Sequence, residues 1–164
     1  MLMPGKPFPE LDVSLLRGGQ WTLAGSSRDL ALINVIRGHF CTYCHESVVD
    51  LNARVDAFKA IGIDVVTTST DSAAAAQAMV NELAVDHLQV GYGMSEADIR
   101  RLGLFATERG GTVFAEPAIL VVKRSGEVYA VFQNSISCGR TDIARLLEGL
   151  TLLAPAGYPL RGNA

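Results

Sequence analysis

A Cys-x-x-Cys pair, Cys41-Thr42-Tyr43-Cys44, stands directly between two segments of different periodicity. Before it, Leu30, Leu32, Ile33, Val35 and Ile36 make Asp29 to Ile36 a nearly continuous apolar run, the pattern of a buried strand. After it, Val48, Leu51, Val55 and Phe58 recur every three or four residues, one face of a helix that Gly62 ends. Ile63 to Ser69, with Val65, Val66 and two threonines, is strand-like again. A strand–helix–strand unit of this length is a right-handed crossover and demands a parallel pair in a sheet. Two thiols then fall at the N-terminus of the crossover helix, where free amides and the helix dipole favour a thiolate.

The rest of the chain continues the alternation. Leu11 to Leu16 and Gln20 to Leu23 form a hairpin across Arg17-Gly18-Gly19. Ser72 to Leu83 is Ala-rich and helical, and His87 to Val90 is a weak strand candidate. Ser95 caps a short helix, Glu96 to Leu102, closed by Gly103. Gly110-Gly111 breaks the chain. Ala118–Lys123 and Glu127–Phe132 form a hairpin about Ser125-Gly126, and Ile143, Leu146, Leu147 and Leu150 define a last helix. The order gives an α/β fold with a mixed sheet and helices on both faces. The 164 residues suit one domain, 1–164, with 154–164 an extended or mobile tail carrying Pro155, Gly157, Pro159 and Gly162.

Composition removes several classes of function. A hydrophobic content of 49% rules out disorder, and a net charge of −3 with no Lys/Arg block gives no nucleic-acid surface. No apolar run approaches the length of a membrane span, and the first residues lack a signal-peptide core, so a cytoplasmic location is expected. Three cysteines are too few for a secreted disulfide scaffold. In a reducing compartment a close pair is catalytic or metal-binding more often than structural.

Cys41-x-x-Cys44-His45 also matches covalent c-type haem attachment, but the strand–helix alternation opposes a haem-wrapping fold. Metal binding by Cys41, Cys44 and His45 or His39 lacks the second ligand pair of a closed zinc site. His39 and His45 are either exposed helix-end residues or imidazoles that lower a thiol pKa. Arg37 is either a surface arginine or a cation supporting the thiolate. Asp50 and Glu46 are solvated first-turn carboxylates, although Glu46 beside Cys44 is placed to move a proton. Cys138, before the last helix, is a small buried or half-buried residue rather than a distant resolving thiol.

The chain resembles the thioredoxin-fold superfamily, and within it the alkyl hydroperoxide reductase/thiol-specific antioxidant, or peroxiredoxin-like, family. The residues that carry this are the N-terminal hairpin, the run Arg37-Gly38-His39-Phe40-Cys41-Thr42-Tyr43-Cys44, and Glu116-Pro117-Ala118-Ile119-Leu120-Val121-Val122 with Lys123-Arg124-Ser125-Gly126-Glu127 behind it. The likeness spans roughly Pro4 to Leu152. It implies a thioredoxin-like fold with an N-terminal hairpin extension. It implies a redox site of Cys41, Cys44 and Pro117, with Pro117 in a cis peptide packed beside the dithiol. It implies an enzyme that cycles a dithiol–disulfide couple with no organic cofactor or metal. Its substrate is a peroxide or a protein disulfide, its electrons come from a thioredoxin, glutaredoxin or glutathione system, and a homodimer is compatible with the family.

Laid on the family pattern, Cys44 takes the place of the sulfur that attacks peroxide. Arg37 stands where a proline is expected, and Cys41 where a hydroxyl residue is expected. The family's downstream arginine falls near Pro117, where no arginine stands. On a peroxidase reading Cys44 attacks and Cys41 resolves. On a thioredoxin reading Cys41 is the exposed nucleophile and Cys44 resolves, and the missing arginine favours this second order. A redox-sensing or interaction module without turnover is the alternative from a different class.

Overall fold

A computed structural model of the chain describes residues 2–153, 157 and 159–162. The first hairpin is β1 (Asp12–Leu15) and β2 (Gln20–Thr22). The crossover is β3 (Leu30–Val35), α1 (Thr42–Ala60) and β4 (Ile63–Thr68). Then come α2 (Ala73–Leu83), β5 (Gln89–Tyr92), α3 (Glu96–Arg101), β6 (Ala106–Arg109) and β7 (Thr112–Ala115). The chain finishes with β8 (Ala118–Lys123), β9 (Val128–Gln133) and α4 (Ile143–Leu153). Seven strands form one sheet in the order β2-β1-β5-β4-β3-β8-β9. β3 pairs parallel with β4, and β4 with β5; the pairs β1–β2, β1–β5, β3–β8 and β8–β9 are antiparallel. This is the mixed α/β architecture that the alternation of patterns predicts, in the thioredoxin-like form that the resemblance implies.

The apolar run of β3 has its physical reason in its position. It is a central strand, buried along its whole length, so both of its faces are apolar. Leu30 and Leu32 pack under Val48, Leu51, Val55 and Phe58 of α1 and Ile143, Leu146 and Leu150 of α4. Ala31, Ile33 and Val35 face the opposite layer with Trp21, Ile99 and Leu102. Burying either set contributes about 25 cal/mol per Å² of apolar surface removed from water, and the crossover lies between both halves of the core.

Local signals place the remaining ends. Ser72 caps α2 through the Ala75 amide, and Ser95 with Asp98 forms a full capping box at α3. The segment around Gly110-Gly111 is a hairpin rather than a simple break. β6 and β7 pair antiparallel, and both glycines take positive φ, +61° and +79°, as a tight hairpin turn requires. β6 is largely exposed, so it carries no apolar alternation to mark it in the sequence. Of the expected tail, Ala154, Pro155, Ala156, Tyr158, Asn163 and Ala164 lie outside the described residues.

Candidate active site

The site forms where β3 ends and α1 begins. Gly38 turns the chain with φ +140°, and a Cβ there would meet the Asp71 carboxylate at 2.6 Å. That carboxylate accepts the His39 amide at 2.8 Å, which ties the loop to the β4–α2 connection. Cys41 is the residue that caps α1, and Cys44 closes its first turn, with the Cys44 amide donating to the Cys41 carbonyl at 2.9 Å. The sequence places both thiols at the helix start, and the structure agrees.

Both sulfur residues are covered. Cys41 is 4% exposed and Cys44 0%. The expectation of an exposed Cys41 is therefore corrected: it packs in the core cluster with Ile36, Cys44 and Val48, and Arg140 from the connection before α4 reaches 3.6 Å from its sulfur. Both thiols are free.

The cation at the site is one the sequence reading did not find. Arg140, on the connection between β9 and α4, sends Nη2 to 2.8 Å from Cys44 Sγ and 3.6 Å from Cys41 Sγ. Its Nε donates to the Ser137 carbonyl at 2.8 Å, which fixes the plane of the guanidinium. No arginine stands at Pro117; the guanidinium beside the two sulfurs comes instead from the connection before α4. The only mark in the sequence was Gly139-Arg140 directly before a helix, which carries no chemistry by itself.

The Arg37 main-chain N–H is a second donor to Cys44 Sγ, at 3.4 Å. The Arg37 side chain points away from the sulfurs. Its Nε lies 3.3 Å from Glu116 Oε2, an ion pair without hydrogen-bond geometry, and its guanidinium lies over the Phe114 and Phe40 rings. Burial dominates the electrostatics of Cys44 and pushes its thiol up to about 11, helped by the Cys41 side chain. Arg140 and the Arg37 amide pull the other way.

The structure corrects the sequence reading of Pro117. No described peptide bond is cis, so the Glu116–Pro117 bond is trans. Trans is the isomer an X–Pro bond favours by about 0.5–1 kcal/mol, and Pro117 leads straight into β8, where Ala118 pairs with both Val35 and Gln133. The Pro117 carbonyl accepts the Asn134 amide at 3.0 Å, so it is already engaged within the sheet. Pro117 shares a small cleft with Arg140: with Asn34, Ser47, Ala118, Ile119, Phe132, Asn134 and Thr141 they line about 10 Å³, room for about one water. Ser47, Arg140 and Thr141 are shared with an open groove that runs along α1 past Tyr43, Glu46 and Val49.

The other candidates sit at the margin. His45 Nε2 is 2.6 Å from the His39 carbonyl, and His39 Nε2 is 2.8 Å from Glu82, so each imidazole is engaged away from the sulfurs. Glu46 is exposed on α1, and Asp50 pairs with Arg54. Cys138 is exposed, which corrects the expectation of a buried or half-buried residue: it sits on the surface turn from Ile136 to Gly139. Among the described residues no group of three or more His, Cys, Asp or Glu side chains is arranged to hold a metal ion. No described helix is long and apolar enough to cross a membrane.

A thioredoxin-like sheet with a dithiol at the start of its crossover helix defines a thiol-dependent oxidoreductase. The sequence pattern of the AhpC/TSA family matches residues 4–131, and the chain belongs to that family, the peroxiredoxin-like branch of the thioredoxin fold. No functionally curated relative matches the sequence. Among solved structures, AhpC of Mycobacterium bovis superposes with a TM-score of 0.79 at 16% identity, covering 100% of this chain and 98% of its own. AhpC of Mycobacterium tuberculosis gives 0.78 at 16% identity, covering 94% and 99%. A peroxiredoxin-like protein from Aquifex aeolicus gives 0.77 at 15% identity, covering 91% and 86%. At these identities the superpositions speak for the fold.

Proposed function

We propose that this oxidoreductase reduces small hydroperoxides, with Cys44 as the attacking sulfur and Cys41 as the resolving one. The observation that carries this is Arg140 on a fully buried Cys44. A hydroperoxide is small enough to reach a recessed sulfur beside Arg140; a protein disulfide is not. The covered Cys41 and the occupied Pro117 carbonyl argue the same way, because a protein-disulfide substrate needs an exposed nucleophile and free main chain beside it.

The chemistry balances as two steps. The Cys44 thiolate attacks the peroxide oxygen, the O–O bond breaks, and the leaving alkoxide or hydroxide takes a proton to give alcohol or water. Cys44 is then a sulfenic acid. The Cys41 thiol attacks that sulfur, the S–S bond forms and water leaves. Arg140 stabilises the negative charge that forms on Cys44 as its proton leaves and aligns the peroxide oxygens during attack. A dithiol donor of the thioredoxin or glutaredoxin type, or glutathione, returns two electrons and two protons. A reducing cytoplasm supplies such donors. Pro117 acts as a wall of the cleft.

The test is a Cys41→Ser variant mixed with peroxide. It should consume one equivalent far faster than free cysteine and leave a trappable sulfenic acid on Cys44. If instead Cys41→Ser is inert to peroxide and Cys44→Ser traps a mixed disulfide with a protein substrate through Cys41, the enzyme is a disulfide reductase.

A further inference from the structure

We propose that Arg37 is a positioning residue for Cys44: its side chain, anchored on Glu116, holds its own main-chain N–H against the Cys44 sulfur. The two ends of this residue do different things. The N–H lies 3.4 Å from Cys44 Sγ. The guanidinium turns to the far side and is fixed there by three groups: Glu116 at 3.3 Å, the Phe114 ring at 4.9 Å and the Phe40 ring at 5.5 Å.

The anchor is itself rigid. Glu116 is 5% exposed, its other oxygen accepts the Thr107 hydroxyl at 2.6 Å, and its amide donates to the Phe105 carbonyl at 2.7 Å. Phe114 and Phe40 meet edge to face with centroids 5.1 Å apart. The β6–β7 hairpin and the entry to β8 are therefore clipped to the loop that presents Cys44. One residue later, Gly38 packs on Asp71. Arg37 is thus held by the hairpin on one side and by the β4–α2 connection on the other, which leaves its amide little freedom to leave the sulfur.

The groups that face the Cys44 sulfur are few. They are Cys41 from the start of α1, Arg140 from the β9–α4 connection and the Arg37 amide from the β3–α1 loop. The Arg37 charge is spent on Glu116, so its effect on Cys44 passes through the amide. An N–H aimed at a sulfur favours the thiolate and the sulfur as a leaving group, because it offers a hydrogen bond that strengthens as negative charge grows. The inference rests on Cys44 as a reactive thiol; it does not depend on peroxide as the oxidant.

The test uses the full chain in a Cys41→Ser, Cys138→Ser background, so that Cys44 alone reports. Two quantities are followed: the rate of Cys44 with a small alkylating reagent from neutral to alkaline pH, and hydrogen exchange of the Arg37 amide by NMR. Arg37→Met and Glu116→Gln should each slow alkylation at fixed pH about three- to tenfold, the worth of one hydrogen bond. In both, exchange at position 37 should accelerate, and Arg37→Lys should restore part of each effect. The double variant should be no worse than Arg37→Met, since both break one tie. Glu116→Gln is near-isosteric and carries the test alone if Arg37→Met does not fold. Alkylation slowed with exchange at position 37 unchanged, or exchange accelerated with alkylation unchanged, overturns the proposal. No peroxide enters the assay, so a failure here is distinct from a failure of the peroxidase reading.

Discussion

Arg140 Nη2 stands 2.8 Å from Cys44 Sγ although the two residues are 96 positions apart in the chain. The contact joins the start of α1 to the connection before α4, two elements that share one core beneath it. A guanidinium at that distance stabilises a thiolate and a developing oxyanion alike. Arg140→Met should lower the rate of Cys44 with peroxide about ten- to hundredfold, the range for a charge-assisted hydrogen bond. Arg140→Lys should recover part of it, because lysine keeps the charge and loses the second N–H that fixes the plane on Ser137. Stopped-flow rates for the three proteins, with melting curves to confirm folding, check this. Equal rates would remove Arg140 from the reaction.

Burial holds the Cys44 thiol up at about 11, so the thiol is protonated at neutral pH and the thiolate is a small minority. The rate of Cys44 with a neutral alkylating reagent should then rise about tenfold per pH unit from pH 7, with no plateau below about pH 10. The same shift sets a stability trend. An unfolded cysteine ionises near pH 8.5, below the folded value, so above that pH the unfolded chain releases the proton first. The contribution is fully present below about pH 8.5 and is lost as pH rises toward about 11. Denaturant midpoints of wild type should fall across that window more steeply than those of Cys44→Ala. A plateau in the alkylation profile near neutrality would mean that Arg140 and the Arg37 amide outweigh burial.

The parts of this fold that were legible in the sequence are those whose burial is one-sided or complete. β3 is buried on both faces and α1 on one stripe, so period and apolarity betray them; Ser95 and Gly103 mark the two ends of α3. The β6–β7 hairpin was not legible, because β6 is largely exposed and carries no apolar alternation of its own. The site divides along the same line. Cys41 and Cys44 are local in the chain and their spacing carries their chemistry. Arg140 and Glu116 act through tertiary contact, and no local pattern records which arginine will meet which sulfur. Arg37 was visible as a choice between surface and site; the structure gives its side chain to Glu116 and its amide to Cys44. Pro117 was placed at the site, with a cis peptide, by resemblance alone; the bond is trans, and spacing along the chain encodes neither isomer.

Cys138→Ser should retain turnover while Cys44→Ser abolishes it. Cys138 is exposed on the turn that carries Arg140, whereas Arg140 itself faces both Cys41 and Cys44, so the resolving thiol is already in place. A bulky maleimide should label Cys138 first and leave the two covered thiols unmodified until the chain is unfolded. Loss of turnover in Cys138→Ser with an unchanged melting curve would make Cys138 the resolving residue instead.

Mild oxidation should link Cys41 to Cys44. One residue caps α1 and the other closes its first turn, and one guanidinium nitrogen lies within 3.6 Å of both sulfurs. Mass spectrometry after alkylation should show a peptide containing both cysteines that is two protons lighter and carries no alkyl group. Free alkylation of both thiols after peroxide treatment would exclude the dithiol cycle.

Gly38→Ala tests whether the loop geometry, rather than the thiols alone, makes the site. Gly38 has φ +140°, a backbone state that costs an alanine on the order of 1–3 kcal/mol. The added Cβ would also meet Asp71 Oδ1 at 2.6 Å, and the Asp71 carboxylate is not free to yield, since it holds the His39 amide. Gly38 adjoins Arg37, whose amide faces Cys44, so relief of the clash moves the loop off the sulfur. The variant should unfold at lower denaturant by about that free energy, and its Cys44 should react more slowly even where the protein is fully folded. An Asp71→Ala change in the same chain removes the clash and should return part of the stability, while the φ cost remains. Measured melting and alkylation of Gly38→Ala, Asp71→Ala and the double variant separate the two effects: full recovery in the double variant would assign the whole cost to the carboxylate, and no recovery would assign it to the backbone.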